Sequence, residues 1–239
     1  MDKIILFGAS GTLGKELIQL REFISPSHKE IDIINFNQTK EYIEKIKPSI
    51  IMHSAALVGA KECEENKEKA YQTNVLGTQN IAKTCLKNKI KLVYISTDSI
   101  FDGEKGNYTE EDIPNPLNYY SLTKLLAESF TKMLDSYLII RTSFIPSNSF
   151  PYAKAFTDQY TCRMKANDLA KEIIFAVNHN LEGIVNITGE KDTLYNIIKK
   201  INPNIGKITR LETGLNLPKD LSLNTNKWKK IKEVYRNGA

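Results

Sequence analysis

Lys3-Ile4-Ile5-Leu6-Phe7-Gly8-Ala9-Ser10-Gly11-Thr12-Leu13-Gly14 is the stretch whose reading decides the fold. Five mostly apolar residues form a buried strand. A glycine-rich turn follows at once and opens a helix expected from about Thr12 to Leu20. The spacing is G-x-x-G-x-x-G rather than the commoner G-x-G-x-x-G. Glycines at such a turn let the backbone bend tightly and come close to a pyrophosphate. The helix N-terminus then offers free N–H groups and the positive end of its dipole. Strand, turn and helix in this order therefore point to dinucleotide binding.

Outward from that unit, short apolar runs alternate with helical patterns, the sequence signature of βαβ units and a parallel sheet. A second strand is expected at Glu22–Ser25, stopped by Pro26, and a third short one ending near Asp32-Ile33. Helical spacing covers Lys40–Ile46, and a buried strand Ser49–His53. A long helix is expected over Lys67–Leu86, a strand over Lys91–Ser96, and turns from Phe101 to Leu117. A helix over Tyr119–Leu134 leads to a strand at Tyr137–Arg141. Beyond, only a helix at Asn167–Val177 and a strand at Gly183–Ile187 stand out. The expected architecture is α/β: a Rossmann-type doubly wound parallel sheet with a small C-terminal substrate lobe. Residues 1–143 form the dinucleotide-binding domain, to which 165–187 return. Residues 144–239 form the discontinuous lobe.

The 239 residues carry a net charge of +5. From Lys191 onward the excess is +7, so the remainder is about −2. The cluster Lys227, Lys229, Lys230 and Lys232 reads as a solvated helical face, and neither nucleic acid nor a membrane is an expected partner. Cys63, Cys85 and Cys162 are odd in number and widely spaced, which suggests no disulfide framework. Together with His28, His53 and His179 they form no metal-ligand spacing, so no metal is expected. No apolar run of signal-peptide length follows Met1-Asp2-Lys3, and none is long enough to span a bilayer. A reducing cytoplasm is the expected compartment.

Two further patterns carry chemistry. Tyr120-Ser121-Leu122-Thr123-Lys124 lies in an expected helix, so Tyr120 and Lys124 share one face. A lysine there is expected to pull the phenol down from its ordinary pKa of about 10. The phenol could then give its proton to a ketone oxygen as hydride arrives. Ile95-Ser96-Thr97-Asp98 ends a strand, where parallel sheets place their ligand crevice, and Thr97 would present a hydroxyl there.

In this order the three patterns resemble the extended short-chain dehydrogenase/reductase family, and within it the dTDP-4-dehydrorhamnose reductase branch. The resemblance rests on Ser96-Thr97-Asp98-Ser99-Ile100-Phe101-Asp102-Gly103, on Tyr108-Thr109-Glu110-Glu111-Asp112 with Pro116, and on Tyr120 to Lys124. Ser54-Ala55-Ala56, Asn74-Val75-Leu76-Gly77, Arg141-Thr142-Ser143, Asn167-Asp168-Leu169-Ala170 and Leu217 to Thr225 also fit. It implies that Thr97, Tyr120 and Lys124 form a catalytic triad. It implies that Gly8, Ser10, Gly11, Thr12 and Leu13 hold the pyrophosphate, that Asp32 and Ile33 meet the adenine, and that Ala55 and Ala56 line the cofactor cleft. Tyr120 and Lys124 would also face the cofactor, the lysine through the nicotinamide ribose. Val58, Asp98, Ser99 and Phe144 fall on the substrate side. The implied activity is NAD(P)H-dependent reduction of a nucleotide-diphosphate 4-keto-6-deoxy sugar.

The chain departs from that branch at several points. It is shorter, and the segment from Pro146 to Asp158 is truncated. Phe144 replaces the usual tryptophan and Ser99 the usual tyrosine, so the sugar pocket is altered. Dehydratases of the superfamily place Asp-Glu after the threonine; here Asp98-Ser99 follows Thr97. Epimerising relatives need a Cys and a His that Cys63 and His53 do not match. The regulatory subunit of methionine adenosyltransferase belongs to the same branch, and a non-catalytic NADP-binding role is the main alternative; a related nucleotide-sugar epimerase ranks lower. Ser25-Pro26-Ser27-His28-Lys29 contains no carboxylate, which favours NADPH over NADH, with Ser27, His28 and Lys29 near the 2′-phosphate. Arg163, Lys165 or Arg210 could reach the substrate diphosphate. A homodimer is compatible with all of this.

Overall fold

The computed structural model describes residues 3–214 and 217–237. Strand β1 (Ile4–Phe7) is buried throughout because both faces of its sheet are covered. Ile4 and Leu6 point into one core cluster, and Ile5 and Phe7 into another, as the two-residue period of a strand requires. The same division runs through β2 (Ile50–His53), β3 (Lys91–Ile95) and β4 (Tyr137–Arg141). Four short strands follow: β5 (Phe144–Ile145), β6 (Lys154–Phe156), β7 (Tyr160–Thr161) and β8 (Met164–Lys165). Strand β9 (Gly183–Asn186) then completes the main sheet, whose order is β1-β2-β3-β4-β9 with every pair parallel. The expected α/β architecture on a central parallel sheet is the observed one.

Helix α1 (Thr12–Leu20) covers one face, and α2 (Phe36–Ile46) the other. Next come α3 (Ala60–Glu65), α4 (Lys67–Ala70), a π-helical turn over Tyr71–Leu76, and α5 (Gly77–Asn88). The long helix expected over Lys67–Leu86 is therefore present but interrupted by the wider turn. Helix α6 (Tyr119–Thr131) and α7 (Ala166–Asn178) agree with expectation to within a turn. Leu169, Ala170 and Ile173 of α7 pack with Leu13 and Leu17 of α1 on the first face.

Two expected strands are corrected. The one at Glu22–Ser25 shrinks to a bridge at Ile24, which pairs with Ile5 beyond β1. Pro26 cannot extend that ladder. The one near Asp32-Ile33 is a turn. Asp32 Oδ1 accepts from the Ile34 N–H at 3.0 Å, and Asn35 caps α2 by accepting from the Gln38 N–H at 3.1 Å. Local side-chain bonds of this kind outcompete a strand ladder.

The smaller lobe is built from β6, β10 (Asp192–Thr193), α8 (Leu194–Lys199) and β11 (Gly206–Ile208) around Ile145, Ala155, Ile198 and Ile205. Leu217 to Asn224 runs back across the loop after β3, bridging Tyr108 to Leu223 and Tyr160 to Asp220. Helix α9 (Asn226–Asn237) then rejoins the main domain, with Trp228 buried in its core. Lys227, Lys229 and Lys230 of α9 are exposed, as expected of a solvated helical face, and Lys232 is half-buried. Lys227 donates to the Ile184 carbonyl, Lys229 pairs with Glu190 and Lys232 with Glu172. Among the described residues no helix is long and apolar enough to cross a membrane.

Candidate active site

The cleft lies outside the carboxyl ends of β1 to β4, where an open parallel sheet gathers its ligands. It encloses about 690 Å³ and is lined at one end by Gly8, Ser10, Gly11, Thr12, Leu13 and Gly14. Two glycines are needed for shape. Gly8 has φ +98°, and a Cβ there would stand 2.5 Å from the Ala55 nitrogen. At Gly14 a Cβ would stand 2.1 Å from the Gly8 carbonyl oxygen, so the turn folds directly onto the start of α1. That helix begins without a side-chain cap, which leaves its first N–H groups facing the cleft. The turn therefore fits the diphosphate of a dinucleotide.

Thr97, at the end of β3, caps the single 3₁₀ turn Asp98–Ile100. Its hydroxyl accepts from the Ser99 N–H at 3.1 Å and donates to Asp98 Oδ1 at 3.1 Å. Helix α6 brings Tyr120 and Lys124 to the same place. Asn118 caps that helix by accepting from the Ser121 N–H at 2.9 Å. A buried ion pair holds the helix against the sheet. Arg141 on β4 donates from Nε and Nη2 to Glu128 at 3.1 and 2.9 Å, and Ser96 Oγ donates to the same carboxylate at 2.6 Å. Lys124 lies one turn before Glu128. Its Nζ donates to the Ile95 carbonyl at 2.7 Å and sits 4.2 Å from the Tyr94 ring centroid.

Burial governs the charges here. It pushes the Lys124 ammonium down to about 7, against the milder upward effect of Glu128. It also lifts the Tyr120 phenol above its ordinary 10, helped by the charge of Asp98 and opposed by the Thr97 hydroxyl. The lysine was expected to pull the phenol down; instead burial and the charge of Asp98 raise it, and the lowering influence comes from the Thr97 hydroxyl. A phenol held above its ordinary range stays protonated at neutral pH, which is what a proton donor requires.

Residues 2–193 match the family described as RmlD substrate binding domain. The chain belongs to this family. Among curated relatives, dTDP-4-dehydrorhamnose reductase of Aggregatibacter actinomycetemcomitans is 32% identical over 152 residues, covering 60% of this chain and 52% of the relative. Methionine adenosyltransferase 2 subunit beta of Bos taurus is 33% identical over 140 residues, covering 53% of this chain and 41% of that protein. The chain thus spans about half the length of the curated relatives it matches. Among solved structures, dTDP-4-dehydrorhamnose reductase from Bacillus anthracis in complex with NADP superposes with a TM-score of 0.87 at 26% identity, covering 99% of this chain and 93% of that one.

For a member of this family, most of the sequence-predicted residues converge. His28, Ala55, Ala56, Val58, Thr97, Asp98, Ser99, Tyr120, Lys124 and Phe144 all line the cleft with the glycine turn. Four others do not line it. Ser27 donates from both its N–H and its hydroxyl to Glu30 Oε2, at 2.8 Å each. Lys29 and Asp32 are exposed, and Ile33 is buried against Gly77. Of the two downstream arginines, Arg163 reaches the cleft. Arg210 is engaged elsewhere, donating to the Asp158 and Leu217 carbonyls.

Sequence reading missed Asn74 as a structural link. From the π turn its side chain accepts from the Leu57 N–H at 2.7 Å and donates to the Leu57 carbonyl and to Thr123 Oγ1, at 2.9 and 3.0 Å. It ties the cleft wall before Val58 to the helix of Tyr120. No periodic signal marks such a residue, because a π turn breaks the 3.6-residue pattern. Asn118, which also lines the cleft, could have been found as a helix-start residue just before Tyr119.

Proposed function

We propose that the protein is an NADPH-dependent reductase acting on the keto group of a nucleotide-diphosphate 4-keto-6-deoxy sugar. One observation carries the proposal. Thr97, Tyr120 and Lys124, from a strand end and a separate helix, meet in one cleft with an uncapped glycine turn. The similarity to dTDP-4-dehydrorhamnose reductases and the NADP bound by the Bacillus anthracis protein support the reading. NADH is the weaker alternative cofactor. His28 is the residue of the Ser27–Lys29 segment that faces the cleft, and it would meet the 2′-phosphate.

When bound, the dinucleotide supplies the hydride. The chain's own residues do the rest. The glycine turn and the start of α1 hold the diphosphate, and Ala55 and Ala56 form the wall beside it. Thr97, fixed by the Ser99 N–H, holds the substrate oxygen beside Tyr120. Tyr120 gives its phenolic proton to that oxygen as the carbonyl becomes an alcohol. Lys124, whose ammonium is lowered by burial to about 7, stabilises the tyrosinate as it forms when it carries its proton. The three cysteines are free and buried, in keeping with a reducing cytoplasm.

A second reading is favoured by one observation, the similarity to methionine adenosyltransferase 2 subunit beta. Under it the cleft binds NADP and the chain serves a partner protein. Incubation with NADPH and a dTDP-linked 4-keto-6-deoxy sugar separates the two. Consumption of NADPH with formation of the sugar alcohol is expected. Tight NADPH binding with no turnover of dTDP-, UDP- or GDP-linked keto sugars would favour the second reading.

A further inference from the structure

Arg163 lines the cleft and has no part in the chemistry above. It stands between β7 and β8, and its neighbours fix its backbone. The Met164 N–H donates to the Ser143 carbonyl at 3.1 Å, and the Gly189 N–H to the Cys162 carbonyl at 2.8 Å. The side chain therefore enters the cleft from a rigid frame, on the side of Asp98, Ser143 and Phe144. Its Nε is buried and has no hydrogen-bond partner among the described residues. Leaving such a donor unpaired is costly, and a ligand acceptor would remove that cost.

The nearby Asp98 carboxylate makes no hydrogen bond to this Nε. Asp98 Oδ1 already accepts from Thr97 at 3.1 Å and from Ser99 Oγ at 3.2 Å. Burial holds the Asp98 carboxyl above its ordinary value, and the charge of Arg163 pulls it back down, so the two groups already act on each other across the cleft. The other two candidate cations offer no substitute. Lys165 does not line the cleft, and Arg210 is taken up by Asp158 and Leu217. A guanidinium presents a planar fork of donors that suits a two-oxygen anion.

We propose that Arg163 is the substrate's anion anchor, gripping a two-oxygen anionic group of the molecule that is reduced. That group is the diphosphate of the nucleotide sugar, the anion that a 6-deoxy sugar nucleotide offers. The proposal rests on the reductase reading.

Calorimetry on the NADPH-loaded protein tests it, with dTDP and glucuronate as probes and with Arg163→Gln and Arg163→Lys beside the wild type. The expected result is at least about tenfold weaker binding of dTDP in Arg163→Gln, an intermediate value in Arg163→Lys, and NADPH affinity unchanged in both. Selective loss of dTDP assigns the diphosphate; loss of glucuronate binding alone overturns the assignment. Equal binding by wild type and variants, or no binding of either probe to the wild type, overturns the assignment. So does loss of NADPH affinity in Arg163→Gln, which would move the residue to the cofactor half. Failure of the wild type itself to bind NADPH would instead remove the reductase reading.

Discussion

Tyr120 and Lys124 sit four residues apart, yet burial acts on them in opposite directions. The phenol is pushed up and the ammonium down, because desolvation penalises whichever form is charged. Replacing Tyr120 with phenylalanine should leave NADPH affinity near wild type and lower kcat by about 10²-fold or more, the loss expected for a general acid. Steady-state kinetics with a fluorescence titration of the cofactor would check both halves. The lysine leaves a thermodynamic trace. It is protonated in folded and unfolded chains below about pH 7, and neutral in both above 10.5. Between those limits the unfolded chain binds the extra proton, so this group makes stability rise with pH. Lys124→Met should therefore gain most in stability at pH 7 and less at pH 9, as read from urea midpoints at the two values. At this scale the sequence was informative about identity and weak about environment. The i, i+4 pair was legible from Tyr120 to Lys124, but no pattern foretold that burial would decide their charges. Ser27, Asp32 and Ile33 were named for a ligand and are occupied by local contacts, with Glu30, the Ile34 N–H and Gly77.

The elements that carry the site are held by few and specific contacts. Gly14 allows α1 to start against the Gly8 carbonyl, and a methyl group at that position has no room. Gly14→Ala should cost about 1–3 kcal/mol, the usual scale of overpacking, and should abolish dinucleotide binding. A chemical-denaturation midpoint and an NADPH titration would report the two effects separately. The π turn depends on Asn74, which is 1% exposed and bonds Leu57 twice and Thr123 once. Asn74→Ala should destabilise by about 1–3 kcal/mol, since the Leu57 backbone groups lose their partner. Because the Leu57 loop precedes Val58, it should also raise KM. A variant with wild-type midpoint and KM would show that the link is dispensable. The strands β2, β3 and β4 were legible because each centres on a run of three or four apolar residues. The expected strands at Glu22–Ser25 and Asp32-Ile33 were not real strands because one- or two-residue apolar runs yield to Pro26 and to the Asp32 and Asn35 side chains.

Across the whole molecule, the cleft at the carboxyl ends of the sheet is closed by Phe144, Pro146 and Arg163 from the chain after β4, and α9 packs onto the main core through Trp228. Ligand binding to such a cleft stabilises the folded state by mass action, by about 2.7 kcal/mol at a hundredfold excess over Kd. NADPH should therefore raise the thermal midpoint more than NADH at equal concentration; the reverse order would favour NADH. The parallel character of the main sheet was implicit in the alternation of strands and helices. The course of the last fifty residues was not, because their strands are two or three residues long and pair across large sequence distances. The central claim is that hydride passes to a sugar carbon while Tyr120 supplies the proton. Mass spectrometry after turnover of a dTDP-linked 4-keto-6-deoxy sugar with NADPH deuterated at the transferred position tests it most directly. Deuterium on the sugar product with the wild type, and almost none in the same time with Tyr120→Phe, is the expected result. An unlabelled, unreduced sugar with the wild type, or equal labelling by the two proteins, would contradict it.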